Sequence, residues 1–331
     1  MVEIAFDTSP LAQTKAGTAR YIRGLLGELE HAAGVTLKCH AFALGGRAAV
    51  PARDLGWYLG ALPLLARGAD VLHCPTFRAP VRSHVPLVVT FHDLAVLRHP
   101  ETFNAWTRRY SRALLPSVAR AAQRLIAVSE FTARELVDLL NVPEAKISVI
   151  PNAVGPPFTA TGDAAEGDYV VAVSTLEPRK NLARLVEGFR RAKLNGCELR
   201  VVGARGWGDA GLVPGTRVRW LGEVSDDELA RLYRGARCAA YVSLYEGFGL
   251  PVLEAMACGT AVVSADLPPI REFARGVVTV DPTDADAIAE GFREALARGD
   301  ELGREGRDAA TAYDWGRVAR KTIGVYREVA G

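Results

Sequence analysis

The sequence predicts an α/β protein made of two doubly wound domains in series, and three observations carry that expectation. The chain has 331 residues, more than one ordinary hydrophobic core serves. Short apolar runs alternate with segments of helical period along its length, the pattern of parallel strands joined by crossover helices. The alternation breaks once, at Gly155-Pro156-Pro157-Phe158-Thr159-Ala160-Thr161-Gly162, whose Pro, Gly and Thr content reads as a linker. The predicted domains are residues 1–155 and 163–312, followed by a closing helix within 313–331.

In the first domain, residues 2–6 read as a strand and 17–29 as a helix, with Ile22, Leu25, Leu26 and Leu29 on one face. Strands are expected at 36–43, 71–73, 87–91, 124–128 and 147–150. Between them, the segment from Trp106 to Arg124 carries Arg108, Arg109, Arg112, Arg120 and Arg124. Leu55-Gly56-Trp57-Tyr58-Leu59 is an apolar aromatic patch. Together these two segments read either as a membrane-facing or lipid-acceptor surface or as a solvated helix face plus core. In the second domain, 169–174 and 198–202 read as strands, and 181–192 as a helix capped by Asn181, with Leu182, Leu185, Val186 and Phe189 inward. Ser225 and Glu228 form a capping box for a helix carrying Leu229, Leu232, Tyr233 and Ala236. Strands follow at 238–242 and 261–264 and a helix at 284–297. The chain closes on a helix with Trp315, Val318, Thr322, Val325 and Val329 on one face.

Composition narrows the function classes. Apolar residues make up 49% and charged residues 24%, the balance of a folded protein. A net charge of +2 gives no electrostatic ground for a nucleic-acid partner, and none is expected. Residues 1–155 hold 17 Lys and Arg against 12 Asp and Glu, while the remainder holds 23 against 26. The basic first half suits an acidic partner or an anionic membrane surface, and ordinary solvated charge explains it equally well. The cysteines, Cys39, Cys74, Cys197, Cys238 and Cys258, form no C-x-x-C pair, so neither a disulfide framework nor a zinc site is expected and a reducing cytoplasm is the expected home. The strand-like start lacks the features of a signal peptide, and no run approaches the roughly 20 apolar residues of a membrane span. Contact with the inner face of a membrane is expected to be peripheral at most.

Ligands of doubly wound sheets bind at the carboxyl ends of strands, beside helix N-termini, and the cleft between two such domains is the default site. One stretch fits this best: Tyr245-Glu246-Gly247-Phe248-Gly249-Leu250-Pro251-Val252-Leu253-Glu254-Ala255-Met256-Ala257-Cys258-Gly259. Pro251 suits a helix start and Gly259 its end. The loop from Gly247 to Leu250 then offers backbone N–H groups at a helix N-terminus, an anion site. Glu246 just before the loop and Glu254 in the first turn flank it. Carboxylates repel phosphate and accept hydrogen bonds from hydroxyls, so the pairing fits a ligand with both phosphates and sugar rings. Upstream, Glu177-Pro178-Arg179-Lys180-Asn181 follows a strand, and Arg179 and Lys180 are placed to neutralise a departing diphosphate. Two other motifs are set aside. Gly206-Trp207-Gly208-Asp209-Ala210-Gly211 has the G-x-G-x-x-G spacing, yet Val213-Pro214-Gly215 follows where a dinucleotide fingerprint needs a helix. Asp284-Ala285-Asp286 mimics a metal-binding D-x-D motif but sits at a helix start, where acids suit the macrodipole. No metal site is expected.

These residues carry a resemblance. EGFGLPVLEAMACGT, with EPRKN upstream, resembles the family 4 retaining glycosyltransferases, the group 1 enzymes of the GT-B fold. IAVSEFTARELV, ISVIPNAV, VVGARGW, the pair His92-Asp93 and the Trp315 helix resemble family segments too, so the likeness covers essentially the whole chain. It implies two Rossmann-like domains facing across a cleft, an acceptor-side one and a nucleotide-sugar-binding one, with the last helix crossing back to the first. It also implies residue roles. Glu254 would bind the donor ribose, Glu246 hydroxyls of the transferred sugar, and Lys180 with Arg179 the diphosphate. Backbone groups of Phe248, Gly249 and Leu250 would face phosphate and sugar, and Val224 the base. Gly17 would open the first helix near the phosphates, and His92 would lie beside the sugar. The sequence departs from the family in two places. Some members have an arginine near the position of Ser174, for which Arg179 or Arg205 would compensate, and many have Gly-Gly where this chain has Ala16-Gly17.

The implied activity is transfer of a hexosyl group, mannosyl from GDP-mannose as first choice, from a nucleotide-diphosphate sugar to a saccharide, lipid-linked or small-molecule acceptor. It would proceed with retention, through same-face displacement, with the nucleotide sugar as substrate and no cofactor or metal. The alternatives are a nucleotide-sugar epimerase and a nonenzymatic nucleotide-sugar binding protein. His73 and His84 are read as structural, Ser129 as the cap of the helix that begins at Phe131, and Asn152 as a turn residue.

Overall fold

The computed structural model describes residues 1–12, 17–42, 49–204 and 217–331. The chain divides into two compact units, 1–153 with 313–331, and 154–312. Each holds a six-stranded, all-parallel sheet.

In the first unit the strands are β1 (Val2–Asp7), β2 (Val35–His40), β3 (Val71–Cys74), β4 (Leu87–Phe91), β5 (Arg124–Ala127) and β6 (Ile147–Val149), in the order β2-β1-β3-β4-β5-β6. The run Leu87-Val88-Val89 is apolar throughout because β4 is buried on both faces, as a central parallel strand must be. Alternate residues serve two cores. Ile4, Phe6, Val71 and Val88 pack with α1 (Gly17–Leu29) through Ile22, Leu25 and Leu29, while Ala5, Leu72, Leu87 and Val89 pack on the other side with Trp57, Tyr58 and Leu62. α2 (Ala105–Ala121) begins where Asn104 accepts from the Thr107 amide. α3 (Glu130–Leu140) begins where Ser129 accepts from Thr132 N at 3.0 Å, the capping role expected of that serine.

The aromatic patch at 55–59 divides. Within the π-helical segment Ala52–Ala61, Trp57 and Tyr58 are buried, donating to the carboxylate of Asp7 at 3.3 and 3.0 Å, while Leu55 and Leu59 face solvent. The expected strand 36–43 ends at His40, and residues 43–48 lie outside the described chain.

The second unit contains β7 (Tyr169–Val173), β8 (Glu198–Val202), β9 (Val218–Gly222), β10 (Cys238–Tyr241), β11 (Val262–Ala265) and β12 (Val277–Val280), in the order β12-β11-β10-β7-β8-β9. The strands absent from the sequence expectation, β9 and β12, are the two edges, where partial exposure weakens the apolar signal. Its longer helices are α4 (Leu182–Ala192), α5 (Asp226–Gly235), α6 (Leu250–Ala257), α7 (Ala285–Ala297) and α8 (Gly299–Ala310). α4 buries Leu182, Leu185, Val186 and Phe189, each contributing roughly 1.5–3 kcal/mol. Phe189 meets Phe292 of α7 edge-on, ring centroids 6.0 Å apart. Asp284 caps α7 by accepting from Asp286 N at 2.8 Å, so the D-x-D acids serve a helix start. Ser225 caps α5 by accepting from Glu228 N, while the Glu228 carboxylate pairs with Arg231. The segment 155–162 is tied to this unit by Arg234, which donates to the carbonyls of Pro157 and Thr159. Among the described residues no helix is long and apolar enough to cross a membrane.

The last helix, α9 (Trp315–Ala330), belongs to the first unit. Trp315 packs edge-on against Tyr21, and the Tyr326 hydroxyl lies 2.6 Å from His73 Nδ1. His73 Nε2 lies 2.9 Å from Thr90 Oγ1, which in turn lies 3.1 Å from the Tyr21 hydroxyl. His73 is thus a structural histidine in a closed buried network. Burial, helped by His92 nearby, pushes its imidazole from 6.5 down to about 3. Because the folded value lies below the unfolded one, the stability this group contributes is fully present above about pH 6.5. It is lost as pH falls towards 3, at up to about 1.4 kcal/mol per pH unit. In urea unfolding, the stability gap between wild type and His73→Gln is expected to narrow by about 2 kcal/mol from pH 7.5 to 5.0. An unchanged gap would show that this imidazole does not set the acid limb.

Candidate active site

In the second sheet the strand order reverses between β7 and β10, because β8 and β9 lie to one side and β11 and β12 to the other. Loops leaving the carboxyl ends of such neighbouring strands splay apart and form the crevice of a doubly wound sheet. The loop after β7 carries Arg179 and Lys180, and the loop after β10 carries Glu246. Gly203 lets the ends of β7 and β8 close together, since a Cβ there would stand 2.2 Å from Ser174 O.

The structure joins these side chains directly. Lys180 Nζ donates to Glu246 Oε1 at 2.6 Å and to the Tyr241 hydroxyl at 2.9 Å. Arg179 Nη1 lies 3.5 Å from the same carboxylate oxygen and donates to Tyr245 O at 2.7 Å, while Nη2 donates to Glu177 at 2.6 Å. Burial alone would raise the Glu246 carboxyl, but Lys180 and Arg179 outweigh it and bring it down to about 2. Glu246 is therefore an anion across the physiological range and serves as an acceptor of hydrogen bonds, not as a proton donor. Burial, then the Glu246 charge, pushes the Tyr241 phenol well up, keeping it a neutral hydroxyl.

Two sequence expectations, on Asn181 and Glu254, change, and the cations Arg179 and Lys180 are found already partnered. Arg179 and Lys180, placed as cations awaiting a diphosphate, are braced on acidic and carbonyl partners that join the two loops. Asn181 does not cap α4 with its side chain. Its left-handed backbone (φ 57°) turns the amide towards the carbonyls of Val242 and Pro282, to which it donates at 3.0 and 2.7 Å. Glu254 lies one residue deeper than expected, the fifth of α6 because the helix opens at Leu250 instead of Pro251, and it is only 1% exposed, with the Tyr233 hydroxyl 3.5 Å from Oε2.

The mouth of α6 is set by Gly249, whose φ of 111° is glycine territory and where a Cβ would stand 3.2 Å from Ile270 Cγ1. Val252 and Leu253 both donate to Gly249 O and Pro251 has no N–H, so Gly249 and Leu250 hold the amides at that mouth. The Phe248 ring stacks on Phe273 at 4.7 Å in the core, which leaves only its backbone to meet a ligand. Val224 is half-buried in the loop after the edge strand β9. Arg205 and the glycine motif at 206–211 lie outside the described residues.

The first unit holds His92 and Gly17. His92 follows β4, and its Nε2 donates to Pro75 O at 2.9 Å, so the neutral ring presents Nδ1 as an acceptor. Burial lowers its pKa, against the raising influence of the Pro75 hydrogen bond and Asp93, and favours that neutral form. Tyr21, one turn into the helix that Gly17 opens, meets the His92 ring edge-on, ring centroids 4.8 Å apart. Sequence reasoning missed Tyr241 and Glu177. Tyr241 reads as an ordinary strand residue, and Glu177 reads only as part of EPRKN.

Known proteins match the chain throughout. Residues 159–311 match the family model described as glycosyl transferases group 1, and residues 17–156 match that of glycosyltransferase family 4. O-antigen chain mannosyltransferase B of Escherichia coli is 31% identical over 284 residues, 78% of this chain and 74% of its own length. The phosphatidyl-myo-inositol mannosyltransferase of Mycobacterium tuberculosis is 31% identical over 290 residues, 79% of this chain and 74% of its own. Among solved structures, sucrose-phosphate synthase from Thermosynechococcus elongatus superposes with a TM-score of 0.80 at 20% identity, covering 99% of both chains. Anabaena HepE in complex with UDP and glucose superposes with a TM-score of 0.79 at 17% identity, covering 99% of this chain and 100% of that one.

Proposed function

The chain belongs to the family 4, group 1 glycosyltransferases, and from that premise we propose that it moves a hexosyl group, mannosyl first, from a nucleotide-diphosphate sugar to a saccharide, lipid-linked or small-molecule acceptor, with retention and without metal. The observation that carries this reading is the Lys180–Glu246 pair at the β7/β10 switch point. The relatives' names put transfer ahead of epimerisation, and mannose ahead of other sugars.

In this reading the diphosphate lies at the mouth of α6 against the amides of Gly249 and Leu250. Lys180, backed by Arg179, stabilises the charge that grows as the bond from the anomeric carbon to the diphosphate breaks. Glu246 accepts from sugar hydroxyls, Glu254 from the ribose, and Val224 lines the base. Gly17 and His92, whose Nδ1 is an acceptor, are the first unit's candidates for donor contact. The acceptor oxygen bonds to the same face of the carbon, and its proton passes to the departing diphosphate oxygen. The positive charge needed comes from side chains and amides, so the reading requires no cation or cofactor.

Peripheral membrane contact belongs to the same reading. Leu55 (48% exposed) and Leu59 (38%) on the π-helical segment, Leu64 and Leu65 on the short helix Leu62–Leu65 that follows it, and Trp106 on α2 are exposed large apolar side chains, and the exposed Arg108, Arg109 and Arg112 follow Trp106 on α2. The test of transfer is incubation of the chain with GDP-mannose and other nucleotide sugars plus phosphatidylinositol or mannoside acceptors, in chelator. The product is read by NMR at the anomeric carbon. An α-linked product is expected, and a β-linked one from the same α-donor would end the retaining mechanism.

A further inference from the structure

We propose that the first unit carries a binding site for an acceptor phosphate, built from Arg78 and Arg53 on the buried carboxylate of Asp54. The proposal rests on the transfer reading only in calling the ligand an acceptor. In the first sheet the strand order reverses between β1 and β3, and Arg78 lies in the loop leaving β3, beside that switch point. The same loop holds Pro75, the partner of His92.

Asp54 is fully buried and its oxygens are engaged. Oδ1 accepts from Arg53 Nε at 2.8 Å and from Arg78 Nε at 3.2 Å, and Oδ2 from Trp106 Nε1 at 2.9 Å. Arg53 Nη2 lies a further 2.7 Å from Oδ1. The Tyr110 hydroxyl reaches the Asp54 carbonyl at 3.5 Å, so three elements converge on this residue. Neutralising Asp54 needs one guanidinium, and Arg53 meets it more closely than Arg78 does. Arg78 contributes only its Nε. Its Nη1 and Nη2 make no hydrogen bond among the described residues, its side chain is 19% exposed, and its guanidinium sits 6.0 Å from the centre of the Tyr110 ring. A guanidinium fixed at Nε and packed on an aromatic ring has surrendered part of its hydration and its rotamer freedom. What remains is a planar pair of N–H donors, the fork that matches two oxygens of a phosphate.

The phosphate has two sources, a free sugar phosphate or the headgroup of a lipid. The lipid fits because Leu55 and Leu59 stand exposed on the same π-helical segment that carries Arg53 and Asp54.

Trp106 reports the site, because its indole N–H bonds to Asp54. Its ¹H–¹⁵N indole resonance, assigned with Trp106→Phe, is followed in the full chain during titration with mannose 1-phosphate. Co-sedimentation with phosphatidylglycerol and phosphatidylcholine vesicles is measured alongside. For a free sugar phosphate, the resonance shifts saturably, at least tenfold more weakly in Arg78→Gln, and unchanged in Lys180→Ala. For a lipid headgroup, phosphatidylglycerol vesicles alone bind, and both Arg78→Gln and Leu55→Ser/Leu59→Ser release them. If Arg78→Gln fails to fold, Arg78→Lys is judged by the same criteria, since it keeps the charge and loses the fork. The site is overturned by any of three results: no binding to either probe, undiminished binding by the folded Arg78 variant, or the same shift with sodium chloride at equal ionic strength. These readouts do not involve transfer, so failure of every donor to react leaves them standing.

Discussion

Lys180→Ala is expected to lower kcat by about 10²–10³-fold while the chain stays folded, the loss typical of deleting one preorganised group that meets developing charge. The lysine lies where a charge is worth most, in a partly buried corner shared with Tyr241 and Glu246. In the ground state Glu246 occupies it at 2.6 Å. A departing diphosphate gains charge as the glycosidic bond lengthens and draws more from the ammonium in the transition state than the intact donor does. The loss should therefore fall on kcat and on kcat/KM together, with a smaller change in KM. A structural effect would look different. Removing Lys180 leaves Glu246 with Arg179 at 3.5 Å as its remaining cation, so the variant should melt lower than wild type at neutral pH. Lys180→Ala/Glu246→Gln removes that buried charge and should recover the melting temperature without recovering kcat. Recovery of both, or a kcat within threefold of wild type in the single variant, would reduce Lys180 to a structural brace.

Period and punctuation identified the crossover helices and the central strands, because Leu87-Val88-Val89 and the Leu182, Leu185, Val186, Phe189 stripe are buried for the reasons the pattern implies. The edges of the second sheet were not legible, since β9 and β12 are half-covered. Lys180 and Glu246 each stood out within their own motif, but their contact spans 66 positions and exists only because β7 and β10 pair in register. The role of Asn181 escaped for a similar reason. Its helix-start position predicts a cap, whereas its partners Val242 and Pro282 come from loops far along the chain. Asp7 and Asp54 gave no signal at all. Each is a lone acid in sequence, and only folding makes it the anchor of an aromatic and arginine cluster. Turn and helix signals are local, whereas charge placement follows topology.

Glu254→Ala is expected to abolish most of the stabilisation that a nucleotide-sugar donor gives the second unit. A carboxylate accepting from ribose hydroxyls contributes roughly 1.5–3 kcal/mol per charged hydrogen bond, so losing it should weaken donor affinity about 10–100-fold. Ligand stabilisation follows RT ln(1 + [L]/Kd). At a donor concentration about 100 times the wild-type Kd, wild type gains about 2.7 kcal/mol, and a variant weakened 100-fold gains only about 0.4. A thermal shift of several degrees should thus shrink to about one. Alanine also opens a cavity at a site only 1% exposed, so the variant alone will melt lower, and the informative quantity is the shift on adding donor. Glu254→Gln, which preserves volume and an acceptor oxygen but not charge, should fall between the two. Tyr233→Phe is the control for packing around the carboxylate. Its hydroxyl is 3.5 Å away, at the long limit for a hydrogen bond, so its loss should leave the donor-induced shift nearly intact. If Glu254→Ala kept the full shift while Tyr233→Phe lost it, the ribose would have to be held elsewhere, and Glu254 would be a buried carboxylate serving the packing of α5 against α6.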